Sequence, residues 1–226
     1  MSSANTQSEN AKKTIASVLT NCTPREQVDF YNSWANNYDT DMASAEYRPP
    51  LHAAKSINTH FSGDREAAVV LDVACGTGLL AKELKTKGFR HFVGIDGSKG
   101  MLELAKQTGL YRDLKQCLLG EDPLPVQWGV FDVVAIVGAL IVGHVPVSVV
   151  REFCNFVKPG GYMCMTARNA QDSSDVKSAL EHELKQMVEE GLITCVAVTE
   201  EKEWLKLSSG EGHGDDSGVV YLYRKP

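Results

Sequence analysis

Two acidic residues and a pair of glycines occupy the ends of neighbouring apolar segments. Asp72 lies within the apolar run 69–73, which leads directly into Gly76 and Gly78, and Asp96 ends the next apolar run. Glycines let the chain turn tightly and let a ligand press against the backbone. A carboxylate at the end of the second strand can accept hydrogen bonds from ribose hydroxyls. The order of strand, glycine turn, helix, strand and acid therefore predicts a site for a nucleoside-containing ligand.

The residues around the glycines indicate which ligand this is. A dinucleotide site needs the pattern G-x-G-x-x-G, and Ala81 stands where the third glycine would be. Asp72 would repel a pyrophosphate, whereas it would attract a positively charged ligand. S-adenosylmethionine carries an ammonium and a sulfonium, so the loop favours this ligand over a nicotinamide dinucleotide. The alternative is that Asp72 only caps the turn.

The composition narrows the class of partner. The chain has 226 residues, a formal net charge of -6 and six cysteines without a Cys-x-x-Cys pair. An acidic chain does not attract nucleic-acid phosphates or anionic lipids non-specifically, so a nucleic-acid partner is disfavoured. Charged and proline residues interrupt the longest apolar run, so no membrane span is expected. No pair of cysteines or histidines has metal-ligand spacing, so we expect a metal-free protein. No signal peptide is visible, so we expect the protein in the cytoplasm or nucleus, with its thiols reduced.

Short apolar segments alternate with helical patterns from residue 69 onward, which predicts a parallel sheet covered by helices on both faces. A loop is predicted at 120–130, and an exposed glycine-rich acidic loop at 208–218. The predicted strands span residues 69–73, 92–95, 115–119, 131–137, 162–166, 192–199 and 219–223. The predicted helices between them span residues 79–87, 99–107, 147–157 and 174–190.

The N-terminal part has a different character. Residues 1–22 are polar and predict a disordered tail. Thr23, Pro24 and Glu26 form a capping-box pattern that starts a helix, and a second helix follows Pro49-Pro50. We expect residues 23–62 to form a helical lid on a core of residues 63–226, the two making one domain. The first helix repeats apolar residues at helical spacing: Val28, Tyr31, Trp34 and Tyr38.

These motifs resemble those of the class I S-adenosylmethionine-dependent methyltransferases over about residues 25–200. The matching segments are 71–78, 94–98 with Met101, 131–134 and 157–162. Residues 31–39 and 47–50 are similar to a vertebrate methyltransferase-like subfamily encoded in the Williams–Beuren syndrome region. The resemblance implies a Rossmann-like α/β fold with an N-terminal helical lid. Its sheet would have seven mostly parallel strands, with the last one antiparallel and helices on both faces.

The resemblance also implies a cofactor site for S-adenosylmethionine, with S-adenosylhomocysteine as product. Gly76 and Gly78 would pass close to the cofactor, and Ala74 takes the place of the family's frequent first glycine. Asp72 would orient the ammonium, and Asp96 would bind the ribose hydroxyls, with Gly97 giving access. Around the adenine, the resemblance places Met101, Leu119, Gly120, Glu121 and Asp122. Near the methyl group and methionine part, it places Val137, Gly138, Trp34 and Tyr38.

Several of these roles have alternatives. Met101 fits an ordinary core position, Tyr38 fits a helix-packing aromatic, and the choice between Glu121 and Asp122 for the adenine amino group stays open. His144 is the only titratable residue shortly after the fourth strand and is the candidate general base. A loop histidine with a local hydrogen bond is its alternative.

The nature of the methyl acceptor is less constrained than that of the donor. The Asn/Asp-Pro-Pro-Tyr signature is absent after the fourth strand, which argues against methylation of a nucleobase amine. The leading hypothesis is a monomeric small-molecule methyltransferase. A protein methyltransferase, or a cofactor-binding protein with little turnover that acts through protein partners, stays open. A nicotinamide-dependent oxidoreductase is the least favoured.

Overall fold

The computed structural model describes residues 14–15, 23–170, 173–206 and 217–226. Its seven strands form one sheet in the order β3-β2-β1-β4-β5-β7-β6. The strands are β1 (Val69–Val73), β2 (His91–Asp96), β3 (Tyr111–Gln116), β4 (Phe131–Ile136), β5 (Val157–Arg168), β6 (Thr194–Lys202) and β7 (Ser217–Arg224).

Six strands run in the same direction and β7 runs antiparallel to its two neighbours. This confirms the predicted fold class, a Rossmann-like seven-stranded sheet. The strand order reverses between β1 and β4, where Asp72 pairs with Gly94 on one side and Ala135 on the other. In open α/β sheets, ligands bind in the crevice outside the carboxyl ends of the strands at such a reversal.

Helices cover both faces of the sheet. The helices are α1 (Pro24–Ser44), α2 (Pro49–His60), α3 (Leu79–Thr86), α4 (Lys99–Gln107), α5 (Val149–Phe156) and α6 (Ser174–Glu189). On one face, α5 and α6 bury Phe153 and Leu184 against the sheet. On the other face, α2 and α3 bury Ile57 and Leu84, and α1 joins them through Trp34.

The predicted start of α1 is confirmed in atomic detail. The Thr23 hydroxyl oxygen accepts from the Glu26 amide, and the Glu26 carboxylate accepts from the Thr23 amide at 2.7 Å. The helix continues to Ser44, beyond the predicted aromatic stretch, and α2 starts at Pro49 as expected. The predicted tail and the loop at 208–218 fall almost entirely outside the described residues. None of the helices in the described ranges is long and apolar enough to cross a membrane.

One strand lies earlier than predicted. The sequence indicated a strand at 115–119, but β3 spans Tyr111–Gln116. This strand lies at the edge of the sheet, so its charged residues Arg112 and Asp113 face solvent and hide the strand pattern. The apolar residues 117–119 that suggested a strand follow β3. Leu119 lines a cavity beyond the end of the sheet.

Candidate functional site

A cavity of about 740 Å³, counted with its open mouth, lies at the carboxyl ends of β1, β2 and β4; we call it the main cavity. It is bounded by the glycine loop after β1, the end of β2, the segment after β3, the loop after β4 and one face of α1. Its lining residues are Pro24, Gln27, Val28, Tyr31, Tyr38, Ala74, Gly76, Asp96, Gly97, Ser98, Met101, Leu118, Leu119, Val137, Gly138, Ala139, Gly143, His144 and Val145.

The glycine loop takes backbone conformations that explain its composition. Gly76 has a φ of 54° and Gly78 a φ of 91°, values that glycine adopts without a steric penalty. Ala74 also has a positive φ, of 54°. A side chain in this region costs roughly 1–2 kcal/mol, so the alanine at the family's glycine position is a strained residue.

Asp96 connects the glycine loop to the end of β2. One carboxylate oxygen accepts from the Gly76 amide and the other accepts from the Ser98 amide, both at 2.8 Å. An ionised carboxylate has about four acceptor sites, so these amides leave acceptor capacity for a ligand. Burial raises the pKa of Asp96, and the amide hydrogen bonds partly oppose this. Besides its predicted ligand role, Asp96 therefore holds the loop in place, which the sequence motif did not reveal.

Asp72 is 2% exposed and lies in a side pocket rather than in the main cavity. The side pocket continues from the main cavity, because both are lined by Tyr38, Ala74, Gly76 and Val137. The Tyr111 hydroxyl donates to Asp72 at 2.7 Å. Burial raises the pKa of Asp72 to about 7, although the Tyr111 hydrogen bond opposes the rise.

Helix α1 closes the main cavity on the side away from the sheet. The cavity-facing residues of α1 follow helical spacing, so the predicted apolar face of this helix is also the wall of the cavity. Asn32 fixes α1 to α4 by accepting from the Ser98 hydroxyl at 2.8 Å and from the Gly100 amide at 2.9 Å. Asp39 fixes it to the glycine loop, because its carboxylate accepts from Thr77 and from Lys82.

His144 lines the main cavity and contacts α1. Its Nδ1 lies 3.0 Å from the Val142 carbonyl oxygen, and its Nε2 lies 2.9 Å from the Tyr31 hydroxyl. Since a carbonyl can only accept, Nδ1 carries the proton and Nε2 presents a lone pair to the phenol. Burial lowers the pKa of His144, which keeps the imidazole neutral near pH 7. The pairing with Tyr31, 113 positions away, could not be seen in the sequence.

The structure brings most of the predicted site residues to the main cavity and its side pocket. The other predicted residues line neither the main cavity nor the side pocket, but they lie nearby. Trp34 lines a separate aromatic cavity. Gly78 packs against the Tyr111 ring, and a Cβ added at Gly78 would lie 3.0 Å from that ring. Gly120 packs on Pro146, and Glu121 is exposed outside the cavity. Predicted residues that line the main cavity or side pocket are Tyr38, Asp72, Ala74, Gly76, Asp96, Gly97, Met101, Leu119, Val137, Gly138 and His144.

Asp122 occupies an intermediate position. It lines a shallow depression that shares Val28, Gly97 and Leu118 with the main cavity, and its carboxylate accepts from the Leu118 amide at 3.2 Å. Of the two acids considered for the adenine edge, Asp122 is therefore the nearer. The described part of the chain contains no cluster of three or more His, Cys, Asp or Glu side chains arranged to hold a metal ion.

Comparison with known proteins identifies the family. A methyltransferase domain family matches residues 70–161, which include the glycine loop, Asp96 and His144. Human methyltransferase-like protein 27 is 44% identical over 167 residues, which cover 74% of this chain and 68% of the human protein. The ubiquinone biosynthesis O-methyltransferase of Chromobacterium violaceum is 32% identical, over 63% of this chain and 62% of the bacterial protein.

Similarity to a solved structure agrees with the observed topology. The S-adenosylmethionine-dependent methyltransferase of Mesorhizobium loti superposes with a TM-score of 0.53 at 14% identity, over 76% of this chain and 98% of that protein. At this identity, the likeness concerns the fold alone. Together with the sequence matches and the glycine-loop cavity, it shows that this chain belongs to the class I S-adenosylmethionine-dependent methyltransferases.

Proposed function

We propose that the protein transfers a methyl group from S-adenosylmethionine, bound in the main cavity, to a small molecule. The observation that carries this proposal is the placement of two carboxylates on either side of the glycine loop, Asp72, which is buried, and Asp96, which is partly buried and lines the main cavity. One suits a cationic amino-acid group and the other suits a ribose. A pyrophosphate would meet negative charge at the same place.

The shape of the site supports the orientation of the donor. The side pocket, with Asp72 on its wall, receives the methionine part, and the free acceptor sites of Asp96 take the ribose hydroxyls. The adenine then lies towards Met101 and Leu119, two apolar side chains that line the far part of the main cavity. Asp122 is the acid placed to accept from its amino group.

The bound donor supplies an electrophilic methyl group on a sulfonium leaving group. The protein aligns the acceptor with it and excludes water. Gly138 and Val137 lie beside the methyl group, and His144 presents its Nε2 lone pair in the same cavity. When the acceptor is a hydroxyl, its oxygen bonds the methyl carbon as the carbon–sulfur bond breaks. Its proton passes to the Tyr31 oxygen, while the Tyr31 proton passes to His144 Nε2.

A hydroxyl acceptor is favoured by two observations. His144 is a neutral imidazole that accepts from the Tyr31 hydroxyl, and this pair can take up the proton of an O–H acceptor. In addition, a relative with 32% identity is named an O-methyltransferase. A small acceptor is favoured because α1 covers the main cavity on the side away from the sheet.

A labelled-methyl transfer assay tests this proposal. The purified protein is incubated with methyl-labelled S-adenosylmethionine and fractionated cell extract, next to Asp96→Asn and the matched surface variant Asp113→Asn. We expect label in the metabolite fraction for wild type and Asp113→Asn, and little for Asp96→Asn. Label in the protein fraction, or no transfer in any fraction, would contradict the proposed function.

A further inference from the structure

A second cavity adjoins the main cavity on the other side of Gly138; we call it the aromatic cavity. It occupies about 650 Å³ with its opening, and it shares Tyr31, Tyr38 and Gly138 with the main cavity. These three residues therefore form the wall between the two spaces. The rest of the lining of the aromatic cavity includes Trp34, Tyr47, Ile141, Arg168, Trp204 and Leu205.

The wall between the cavities is thin at Gly138. Its φ is +75°, and an added Cβ would lie 1.8 Å from the Tyr47 hydroxyl oxygen. The Gly138 amide donates to the Thr166 hydroxyl at 2.9 Å, which holds this backbone against β5. Because glycine has no side chain, only the Gly138 backbone and the Tyr47 hydroxyl lie at this point between the aromatic cavity and the place assigned to the donor methyl.

The side chains of the aromatic cavity suit a flat ring. Trp34 contacts Tyr38 edge to face at 4.9 Å and stacks on Tyr31 at 5.9 Å, so the three rings already form a packed surface. Trp204 adds a further ring, fixed by stacking on His52 at an interplanar angle of 5°. Aromatic rings bind other rings through offset and edge-to-face contacts in addition to the burial of apolar area.

The charge of the described lining disfavours a cationic acceptor. Among the described residues, no carboxylate lines the aromatic cavity, and its charged member is Arg168, at the end of β5. A cationic amine buried there would lose its hydration and be repelled by Arg168, and only cation–π contacts with the rings would oppose these costs. A neutral or anionic molecule does not have this penalty.

We propose that the aromatic cavity is the acceptor site and that the acceptor is a neutral or anionic aromatic small molecule whose hydroxyl reaches Gly138. This inference rests on the proposed function, since it places the acceptor opposite the donor. The aromatic hydroxyl lies next to Tyr31, whose own hydroxyl bonds His144 Nε2, so Tyr31 connects the aromatic cavity to the proton acceptor.

Ring probes of different charge test the acceptor site by calorimetry on the full chain saturated with S-adenosylhomocysteine. The probes are 2-naphthol, 2-naphthoate and the cation 2-naphthylmethylammonium. Ile141→Trp places a larger side chain in the aromatic cavity, at a residue that does not line the main cavity. Leu205→Phe is a second filling variant with a smaller increase in side-chain volume. Val198→Trp, at a 52% exposed position on β6, is the matched control.

We expect 2-naphthol and 2-naphthoate to bind wild type and Val198→Trp, and the cation to bind at least about tenfold more weakly. Both filling variants should weaken naphthol binding about tenfold or more while keeping the wild-type affinity for S-adenosylmethionine. Equal naphthol binding by wild type and both filling variants, no saturable naphthol binding, or preferential binding of the cation would overturn the acceptor site alone. Failure of wild type to bind S-adenosylmethionine would overturn the proposed function together with it.

Discussion

Asp72 provides a quantitative test, because its ionisation should control binding of a cationic donor. Burial raises its pKa from 3.8 to about 7. Between about pH 4 and pH 7, the folded protein without ligand therefore keeps a proton on Asp72, whereas the unfolded chain has released it. The stability that this proton contributes is complete below pH 4 and is lost as the pH rises to 7. A bound ammonium reverses the preference by favouring the ionised carboxylate.

The size of the effect follows from the ionised fraction. If only ionised Asp72 binds the ammonium, half of the protein is competent at pH 7 and about one eleventh at pH 6. The Kd for S-adenosylmethionine should then rise about fivefold as the pH falls from 7 to 6, which corresponds to a loss of about 1 kcal/mol of binding free energy. The amino group of the ligand stays largely protonated over this interval, because an ordinary α-amino group titrates near pH 7.7–8.0. At pH 7, binding should release about half a proton.

Calorimetry at pH 6 and 7, in buffers with different ionisation enthalpies, measures both the Kd and the released protons. Asp72→Asn keeps an acceptor for the Tyr111 hydroxyl but cannot ionise. It should bind about 10–100-fold more weakly at pH 7, through loss of a charged hydrogen bond, and should lose the pH dependence due to Asp72. Asp113→Asn, which removes an exposed carboxylate on β3, should behave as wild type. An unchanged Kd between pH 7 and 6, or the same pH dependence in Asp72→Asn as in wild type, would refute this reasoning.

Three further predictions concern other parts of the site. Gly138→Ala should lower the free energy of unfolding in urea by about 1–3 kcal/mol because the backbone at this position has a positive φ. The clash of the new Cβ with the Tyr47 hydroxyl should add a further loss, and Tyr47→Phe should relieve that added loss. The His144 ring protons should titrate by NMR with a midpoint below 6.5, since burial lowers its pKa; His144→Gln identifies the resonance. Asp39→Asn should speed amide hydrogen exchange in α1 about tenfold, because it weakens the contacts with Thr77 and Lys82. In the wild-type protein, S-adenosylmethionine should slow amide hydrogen exchange at residues 30–47.

Each of these has a clear contrary outcome. Equal stability of Gly138→Ala and wild type would mean that the backbone and Tyr47 are not arranged as described. A midpoint for His144 at or above 6.5 would remove the argument for a buried neutral imidazole. Exchange in α1 that responds neither to Asp39→Asn nor to the ligand would count against a lid that closes on the donor.

The sequence predicted the parts of the fold that are buried on both sides of the sheet. Strand β1 was predicted at its observed bounds because residues 69–73 are apolar apart from Asp72, as expected for a central strand. Helix α4 was also predicted at its observed bounds. The edge strand β3 was placed too late, because its exposed charged residues have no apolar pattern and the following apolar residues line a cavity instead.

The candidate site shows a similar division. The glycine loop and Asp96 were identified from local order along the chain, which a short motif encodes. The pairing of Tyr31 with His144, and that of Asp39 with Thr77, join residues far apart in sequence and depend on how α1 docks on the sheet. The separation of Trp34 from the main cavity has the same origin, since helical spacing alone does not say which cavity a side chain lines. The division into a lid and a core stays a prediction.

The most direct test of the central claim is calorimetric titration of the full chain with S-adenosylmethionine, S-adenosylhomocysteine and NADH, repeated with Asp96→Asn. We predict saturable binding of the first two ligands and none of NADH. Asp96→Asn should weaken binding by one to two charge-assisted hydrogen bonds, roughly 1.5–3 kcal/mol each. Binding of NADH alone, or full affinity for S-adenosylmethionine without the Asp96 carboxylate, would contradict the account.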